Sequence, residues 1–185
     1  MIVLGLDPSL TNTGIAILED GQPLYLTSTG LAGHNADTYR DRSRRIRALC
    51  QRILQHLAGP LELGIDLAVI EGPAFSRHTG ASFDRSGLWH GLYASLDARN
   101  VPTAVVTPTT RSKWATGHGR ADKTAVLAAV RAWWPQLAIA NHDQADALVL
   151  AAIGAHHHGD PMPFQVKPRH TAGLDAVHWP ELSDR

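Results

Sequence analysis

Apolar residues in this chain fall into short runs and into stretches with helical spacing. The continuous apolar run at residues 2–6 predicts a buried strand, and residues 14–18 predict a second one. Residues 19–23 contain Asp20, Gly21 and Pro23, which predict a hairpin turn into a third strand at residues 24–30. Apolar runs at residues 67–71 and 103–106 predict two more strands.

Four longer stretches have the spacing of helices. Their predicted bounds are residues 37–57, 81–98, 121–134 and 142–157. Asp122 and Asn141 are the expected N-caps of the last two helices, because their side chains accept hydrogen bonds from exposed backbone N–H groups. The order of elements predicts an α/β fold in which a mixed sheet is flanked by helices.

The amino-acid composition of the chain changes near residue 159. Four of its eleven prolines lie beyond this point, with glycine, histidine and scattered charges. We expect one folded domain at residues 1–158 and a proline-rich C-terminal tail at residues 159–185, either packed back on the domain or mobile.

The composition narrows the class of protein. The chain has 185 residues, 44% of them hydrophobic, which is enough for an ordinary core. No stretch approaches the roughly 20 apolar residues of a membrane helix, and the N-terminus lacks the basic region of a signal peptide. The single cysteine, Cys50, lies in a helical pattern and is expected to be a buried thiol. These features are typical of a cytoplasmic protein without a membrane partner.

Four carboxylates occupy positions at which they can converge. Asp7 and Glu71 each close an apolar strand, and Asp143 and Asp146 lie three residues apart at the start of a helix. Strand ends of an α/β sheet line one crevice, and clustered carboxylates repel each other unless cations bind them. Hard cations such as Mg²⁺ and Mn²⁺ prefer oxygen ligands, and two of them bound side by side support phosphodiester hydrolysis.

The net charge does not by itself indicate a nucleic-acid partner, because it is zero. Residues 1–158 carry 14 Lys and Arg against 13 Asp and Glu, and 9 acids remain once the four proposed ligands are set aside. A modest positive surface around a neutralised site is compatible with this balance.

Four segments in order resemble the RuvC Holliday-junction resolvases. They are GLDPS with Thr13 and Gly14, then AVIE at residues 68–71, GHGRADK at 117–123 and DQADAL at 143–148. The resemblance covers residues 1 to about 157 and implies a ribonuclease H-like fold. It also implies a homodimeric, divalent-metal-dependent endonuclease that nicks two symmetric strands of a four-way DNA junction, with the four acids as ligands of two Mg²⁺ or Mn²⁺ ions per active site.

Several basic and aromatic residues are candidates for DNA contact. Lys123 follows a Gly-x-Gly loop that allows close approach of the backbone to phosphate, and the resemblance gives this position a role in DNA binding or catalysis. Lys113 and Arg120, with Arg111, flank the same loop. Phe75 and Arg77 follow Glu71, where an aromatic residue of similar resolvases stacks on bases near the junction centre.

Two other groups have simpler interpretations. His142 adjoins the acid pair and either assists the metal or simply begins the helix, and we favour the second role. Six arginines between residues 40 and 52 form the densest basic patch, which is either a DNA contact or a solvated helix face.

The helix predicted at residues 81–98 carries a broad apolar stripe of leucine and aromatic side chains. Its members are Leu88, Trp89, Leu92, Tyr93 and Leu96. The stripe is wider than covering a sheet requires, and excess apolar surface marks an interface. The resemblance places this helix at the dimer interface, so we expect a homodimer that uses it.

Two alternative functions remain at this level. Gly5-Leu6-Asp7 before a threonine-rich hairpin is also similar to the first phosphate motif of actin-like and sugar-kinase ATPases, which need a second domain. The second alternative is a protein of the same fold that binds branched DNA without cutting it. The sequence does not predict which DNA sequence is cut, or whether junctions, flaps or forks are preferred. It also does not predict whether a branch-migration motor is a partner.

Overall fold

The centre of the protein is a five-stranded mixed sheet. The computed structural model describes residues 1–73 and 80–182. In chain order the strands are β1 (Ile2–Asp7), β2 (Thr13–Glu19), β3 (Gln22–Thr29), β4 (Leu67–Glu71) and β5 (Thr103–Val106). Their order across the sheet is β3-β2-β1-β4-β5. The pairs β1–β2 and β2–β3 are antiparallel, whereas β1–β4 and β4–β5 are parallel. The predicted strands and the mixed sheet are confirmed.

The turn between β2 and β3 contains only two residues, Asp20 and Gly21. Their φ angles are 50° and 76°. A two-residue hairpin with positive φ at both positions matches the right-handed twist of the strands, and the Asp-Gly pair suits it. The hairpin was therefore correctly predicted from the sequence.

Seven helices and one short 3-10 helix surround the sheet within the described residues. They are α1 (Tyr39–His56), α2 (Ala58–Leu63), α3 (Gly80–Asp97), α4 (Pro108–Thr116), α5 (Lys123–Trp133), α6 (His142–His157), α7 (Pro168–Thr171) and the 3-10 helix Leu174–Ala176. Both predicted N-caps are confirmed. Asp122 accepts from the backbone N–H of Ala125 at 2.8 Å, and Asn141 accepts from that of Gln144 at 2.9 Å.

The sheet separates two apolar cores. Alternate residues of β1 face opposite sides, so Val3 packs with α4, α5 and α6, whereas Leu4 and Leu6 pack with α1 and α3. Helix α6 is buried at every position from residue 145 to residue 155. A helix that is apolar all round belongs inside a domain, which explains its run of Ala, Leu and Val.

The structure corrects the interpretation of the broad stripe on α3. Leu88, Leu92 and Leu96 are each 1% exposed and pack in the core of this single chain. Only Trp89 and Tyr93 remain half-buried. The three leucines are needed to cover the sheet and α1, so they are not excess apolar surface. Similarly, Cys50 is half-buried rather than fully buried, and burial raises the pKa of its thiol.

Residues beyond 158 pack on the body of the protein as far as they are described. The ring of Phe164 stacks on Trp133 with centroids 4.4 Å apart, and it meets Trp114 edge-on at 5.2 Å. Trp179 stacks on His157 at 3.8 Å. These aromatic contacts join the C-terminal segment to α4, α5 and α6. No helix among the described residues is both long enough and apolar enough to span a bilayer.

Candidate active site

Asp7 and Glu71 lie side by side at one edge of the sheet. Strands β1 and β4 are parallel and pair Leu6 with Ile70, so the next residue of each strand ends at the same edge. This is the edge at which α/β proteins place their ligands. The tryptophan Trp89 of α3 donates its indole N–H to the backbone oxygen of Glu71 at 2.8 Å and fixes the end of β4.

Two glycines allow α6 to lie directly on β1 and β2. A Cβ at Gly5 would overlap the backbone oxygen of Ala147, and a Cβ at Gly14 would overlap that of Asp143. The close approach brings the first turn of α6, with Asp143, against the end of β1. Asn141 anchors this turn because its side-chain amide also donates to Ser28 Oγ at 3.0 Å.

Asp7 lies close enough to Glu71 and to Asp143 for their charges to act on one another. Burial raises the pKa of Asp7 to about 6, with the Asp143 charge adding to the rise and Arg111 and Lys123 opposing it. Burial also raises the pKa of Glu71 to about 7, with the Asp7 charge adding and the same two cations opposing. Three of the four acids predicted from the sequence, Asp7, Glu71 and Asp143, are thus linked through their charges.

Arg111 is the unexpected residue of the site. It lies on α4, is 8% exposed, and forms ion pairs with Glu71 and with Asp146, which is 2% exposed. From the sequence, Arg111 was a candidate phosphate contact beside the loop at residues 117–119, whereas its guanidinium pairs with two carboxylates instead. Residues 108–116 form a helix whose buried face carries Arg111 together with Trp114 and Ala115. Thr107 as N-cap and Pro108 at the first helical position were the available signals.

Asn12 is a second residue that the sequence interpretation missed. Its side-chain amide donates to Asp143 Oδ2 at 2.6 Å. The loop that carries it is held by Thr13, whose hydroxyl donates to the Ser9 backbone oxygen at 2.6 Å. Asn12, in the loop between β1 and β2, thereby orients Asp143.

The donor set suits a hard divalent cation, although the side chains are not arranged as a finished cage. All four acids offer oxygen ligands, and Glu71 Oε2 is buried without a hydrogen-bond partner among the described residues. As they stand, no three Asp, Glu, His or Cys side chains within residues 1–73 and 80–182 are grouped to hold an ion. The Arg111 guanidinium lies between two of the expected ligands, Glu71 and Asp146.

His142 is hydrogen-bonded to the backbone of α5. Its ring Nδ1 donates to the backbone oxygen of Lys123 at 3.1 Å. This contact ties the start of α6 to the start of α5, in agreement with a helix-start role.

Among the predicted DNA contacts, Lys123 is the exposed first residue of α5, Lys113 is half-buried on α4, and Arg120 is exposed between them. Phe75 and Arg77 lie outside the described residues.

The basic patch on α1 is partly structural. Arg42 and Arg45 both pair with Asp84 of α3, which is 4% exposed, at 2.8 and 3.0 Å. Two of its six arginines thus join α1 to α3.

Beside the acids, a cleft of about 380 Å³ is lined by Asp7, Glu71 and residues of α3 that include Arg85 and Trp89.

Comparison with known proteins identifies the family. No family model matches the chain. A crossover junction endodeoxyribonuclease RuvC from Rickettsia massiliae is 30% identical over 155 residues, which are 82% of this chain and 94% of the relative. The RuvC of Halorhodospira halophila is 30% identical over 165 residues, 86% of this chain and 93% of the relative. The chain belongs to the RuvC family.

Solved structures of RuvC proteins show the same ribonuclease H-like fold. A structure of Thermus thermophilus RuvC in complex with a Holliday junction substrate matches with a TM-score of 0.66 and 18% identity, over 89% of this chain and 99% of that one. The yeast mitochondrial Holliday junction resolvase matches with a TM-score of 0.52 and 16% identity, over 81% and 75%. The predicted fold is confirmed. The predicted enzyme class, an endodeoxyribonuclease, is also confirmed, since the RuvC relatives are named crossover junction endodeoxyribonucleases.

Proposed function

We propose that this RuvC protein resolves four-way DNA junctions by metal-dependent hydrolysis of phosphodiesters, and that two copies make paired symmetric nicks. The observation that supports the proposal is that Asp7 and Glu71 end adjacent strands, that Asp143 acts on Asp7 through its charge, and that one arginine pairs with both Glu71 and Asp146. The RuvC proteins named above, one of them in complex with a Holliday junction, support the choice of substrate.

The four acids are the proposed ligands of two Mg²⁺ or Mn²⁺ ions. Such ions supply an attacking water that is acidic enough at neutral pH and neutralise the charge that develops on the phosphate. Asp7 and Glu71 offer their carboxylates from rigid strand ends, and Asn12 holds Asp143 in orientation through its amide. Lys123, whose charge acts on both Asp7 and Glu71, is positioned to bind the phosphate beside them.

DNA is proposed to approach along the edge that carries the acids. Lys123, Arg120 and Lys113 lie on α5, on the preceding loop and on α4, so they offer positive charge to the backbone on one side of the site. Phe75 and Arg77 remain predicted contacts on the other side, after β4.

A homodimer is proposed because a four-way junction has near two-fold symmetry and two matched cuts require two matched sites. Helix α3 remains the proposed contact. Its core-facing leucines do not contribute, whereas Phe83 is 72% exposed, and Trp89 and Tyr93 stack on each other at 5.2 Å. Exposed aromatic side chains are enriched at such interfaces.

The test is incubation with a mobile four-way junction labelled on each strand in turn, with Mg²⁺, with Mn²⁺ and with EDTA. We expect two cuts at symmetric positions on opposite strands, only when a divalent ion is present. The variant Asp7→Asn is expected not to cut, whereas Asp97→Asn, which changes an exposed acid at the far end of α3, is expected to cut normally.

Three outcomes would contradict parts of the proposal. Binding without any cut would favour the alternative of a non-cleaving branched-DNA protein. Equal cutting of flaps and forks would show a broader substrate class than junctions. Cuts on a single strand would contradict paired resolution.

A further inference from the structure

Arg111 occupies a position between two acids that the proposed function assigns to metal. Its guanidinium pairs with Glu71 from β4 and with Asp146 from α6, and both contacts are buried. A guanidinium is always charged in proteins and presents a planar fork of donors that suits two carboxylates at once. One internal cation therefore neutralises part of the charge of the acid cluster.

The ion pair leaves Glu71 Oε2 without a second partner among the described residues. Arg111 Nε and Glu71 Oε2 are buried and in direct contact, and no other group within the described part of the chain bonds to either atom. A buried ion pair offsets the cost of desolvation only when its geometry is excellent and its remaining donors and acceptors are satisfied. The Glu71 oxygen therefore has no partner besides Arg111 that would hold it in place when a divalent cation replaces the guanidinium.

A divalent cation at the proposed site and the Arg111 guanidinium would need the same two carboxylates, Glu71 and Asp146. Both bind the oxygens of Glu71 and Asp146, and both reduce repulsion among the acids, which raises the pKa of Glu71 through the charge of Asp7. Because like charges repel, the two cations cannot be held between the same carboxylates together.

We propose that Arg111 is an internal counter-cation that competes with the divalent metal for Glu71 and Asp146, and that metal binding requires its guanidinium to withdraw. This inference rests on the proposed function, because it assumes that these carboxylates bind metal. Arg111 is a positioning residue in this account. It keeps the acids together and sets how tightly metal is held, and it is too deeply buried to bind DNA before it withdraws.

Binding of Mn²⁺ measured by calorimetry, without DNA, tests the competition. Arg111→Met removes the charge but keeps an unbranched, helix-compatible side chain. We expect its dissociation constant for Mn²⁺ to fall at least about tenfold relative to the unaltered chain. In EDTA its melting temperature is expected to fall by at least about 5 °C, because two buried carboxylates lose their counter-charge.

Arg44→Met is the matched control. Arg44 is exposed on α1, and its loss removes the same formal charge from the surface. Its Mn²⁺ dissociation constant is expected to stay within about twofold of the unaltered value, as a screened surface charge should. An unchanged or weaker affinity for Mn²⁺ in Arg111→Met would overturn the competition.

A second measurement uses the unaltered chain and so does not depend on how a variant folds. Phenylglyoxal modifies accessible guanidinium groups, and mass spectrometry reads the rate at each arginine. We expect Arg111 to be protected in EDTA and to react several-fold faster in saturating Mn²⁺, while Arg99, which is exposed at the end of α3, keeps a constant rate.

The two measurements separate the possible failures. If Mn²⁺ binds the unaltered chain and Arg111 stays protected, the competition is overturned and the proposed metal site stands. If no Mn²⁺ binds to the unaltered chain or to Arg111→Met, the metal site of the proposed function and the competition are both overturned.

Discussion

Gly14 lies so close to Asp143 that a Cβ at position 14 would overlap the backbone oxygen of that aspartate. Gly14 is also the strand partner of Asp7, across the antiparallel pair of β1 and β2. One residue without a side chain therefore sets the spacing between the strand that ends in Asp7 and the helix that carries Asp143 and Asp146.

The first prediction concerns that spacing. Gly14→Ala is expected to push the start of α6 away from the sheet, because the obstructing atom belongs to the backbone and cannot rotate aside. Overpacking of this kind costs about 1–3 kcal/mol of unfolding free energy, and junction cleavage should be lost. Urea unfolding and a cleavage assay measure the two effects. Gly59→Ala is the control, since a Cβ there meets nothing within 4 Å. A tolerated alanine at position 14 would contradict the role of this contact.

The second prediction separates cutting from binding. Asp7→Asn is expected to lower the cleavage rate at least about a hundredfold, because one metal ligand and its charge are lost. Junction binding should be retained or slightly tightened, since phosphate contacts supply most of the affinity and one repelling charge is removed. Gel-shift and single-turnover cleavage assays measure both. Cleavage at a normal rate by Asp7→Asn would refute the assignment of this ligand.

The third prediction concerns pH in the presence of EDTA. Burial raises the pKa of Asp7 to about 6, above its value in the unfolded chain, so the folded protein binds a proton that the unfolded chain releases near pH 4. This contribution to stability is complete below about pH 4 and is lost as the pH rises through about 6. Asn imitates the protonated form, so Asp7→Asn should match the unaltered chain at pH 4.

At pH 8 in EDTA the same variant should be more stable than the unaltered chain, by up to a few kcal/mol. Saturating Mn²⁺ should reverse this order, because the ion binds only the carboxylate. Denaturant unfolding at several pH values measures the difference. A difference that does not change between pH 4 and pH 8 would show that Asp7 is not held in a buried acid cluster.

The fourth prediction concerns Lys123. Lys123→Ala should weaken junction binding and lower the cleavage rate, because the residue offers charge to phosphate and also acts on Asp7 and Glu71. The slope of log affinity against log salt should fall by about one, as expected for one lost phosphate contact. Lys167→Ala, an exposed lysine just before α7, is the control and should leave cleavage unchanged. An unchanged salt slope for Lys123→Ala would place this lysine away from the DNA backbone.

The fifth prediction concerns assembly. Light scattering at micromolar concentration should give about twice the 20.0 kDa mass of one chain. Phe83→Glu should shift the mass toward one chain, because a charge would replace an exposed aromatic on α3. Leu63→Glu changes a residue of α2 that is 66% exposed and should leave the mass unchanged. A mass of one chain for the unaltered protein, with and without junction DNA, would refute the dimer.

The sequence predicted the strands and the long helices because each has a simple period and clear end signals. Asp122 and Asn141 cap helices as expected, and Asp20-Gly21 forms the expected turn. The carboxylates could be placed because they end strands or begin a helix. Their expected convergence was inferred from the topology, without knowledge of any contact.

Arg111 could not be placed in the same way. Helix α4 is only nine residues long and its apolar residues do not form a clear stripe, so its period is weak. The partners of Arg111 come from β4 and α6, which are distant in sequence. A buried arginine in a short helix looks like a surface residue until its partners are known. Leu88 and Leu92 were assigned partly to an interface because the sequence does not show that α1 packs against them. In the structure they lie in one core cluster with residues of α1.

The parts of the active site come from both ends of the folded core. Asp7 belongs to β1 and precedes α6 in the chain, whereas Asp143 and Asp146 belong to α6, which completes the packing against β1 and β2. A chain whose synthesis stops before α6 retains Asp7, Glu71 and Arg111 but lacks two of the four acids. We therefore expect translation products that stop before α6 not to cut DNA, since two of the four proposed metal ligands are missing from them.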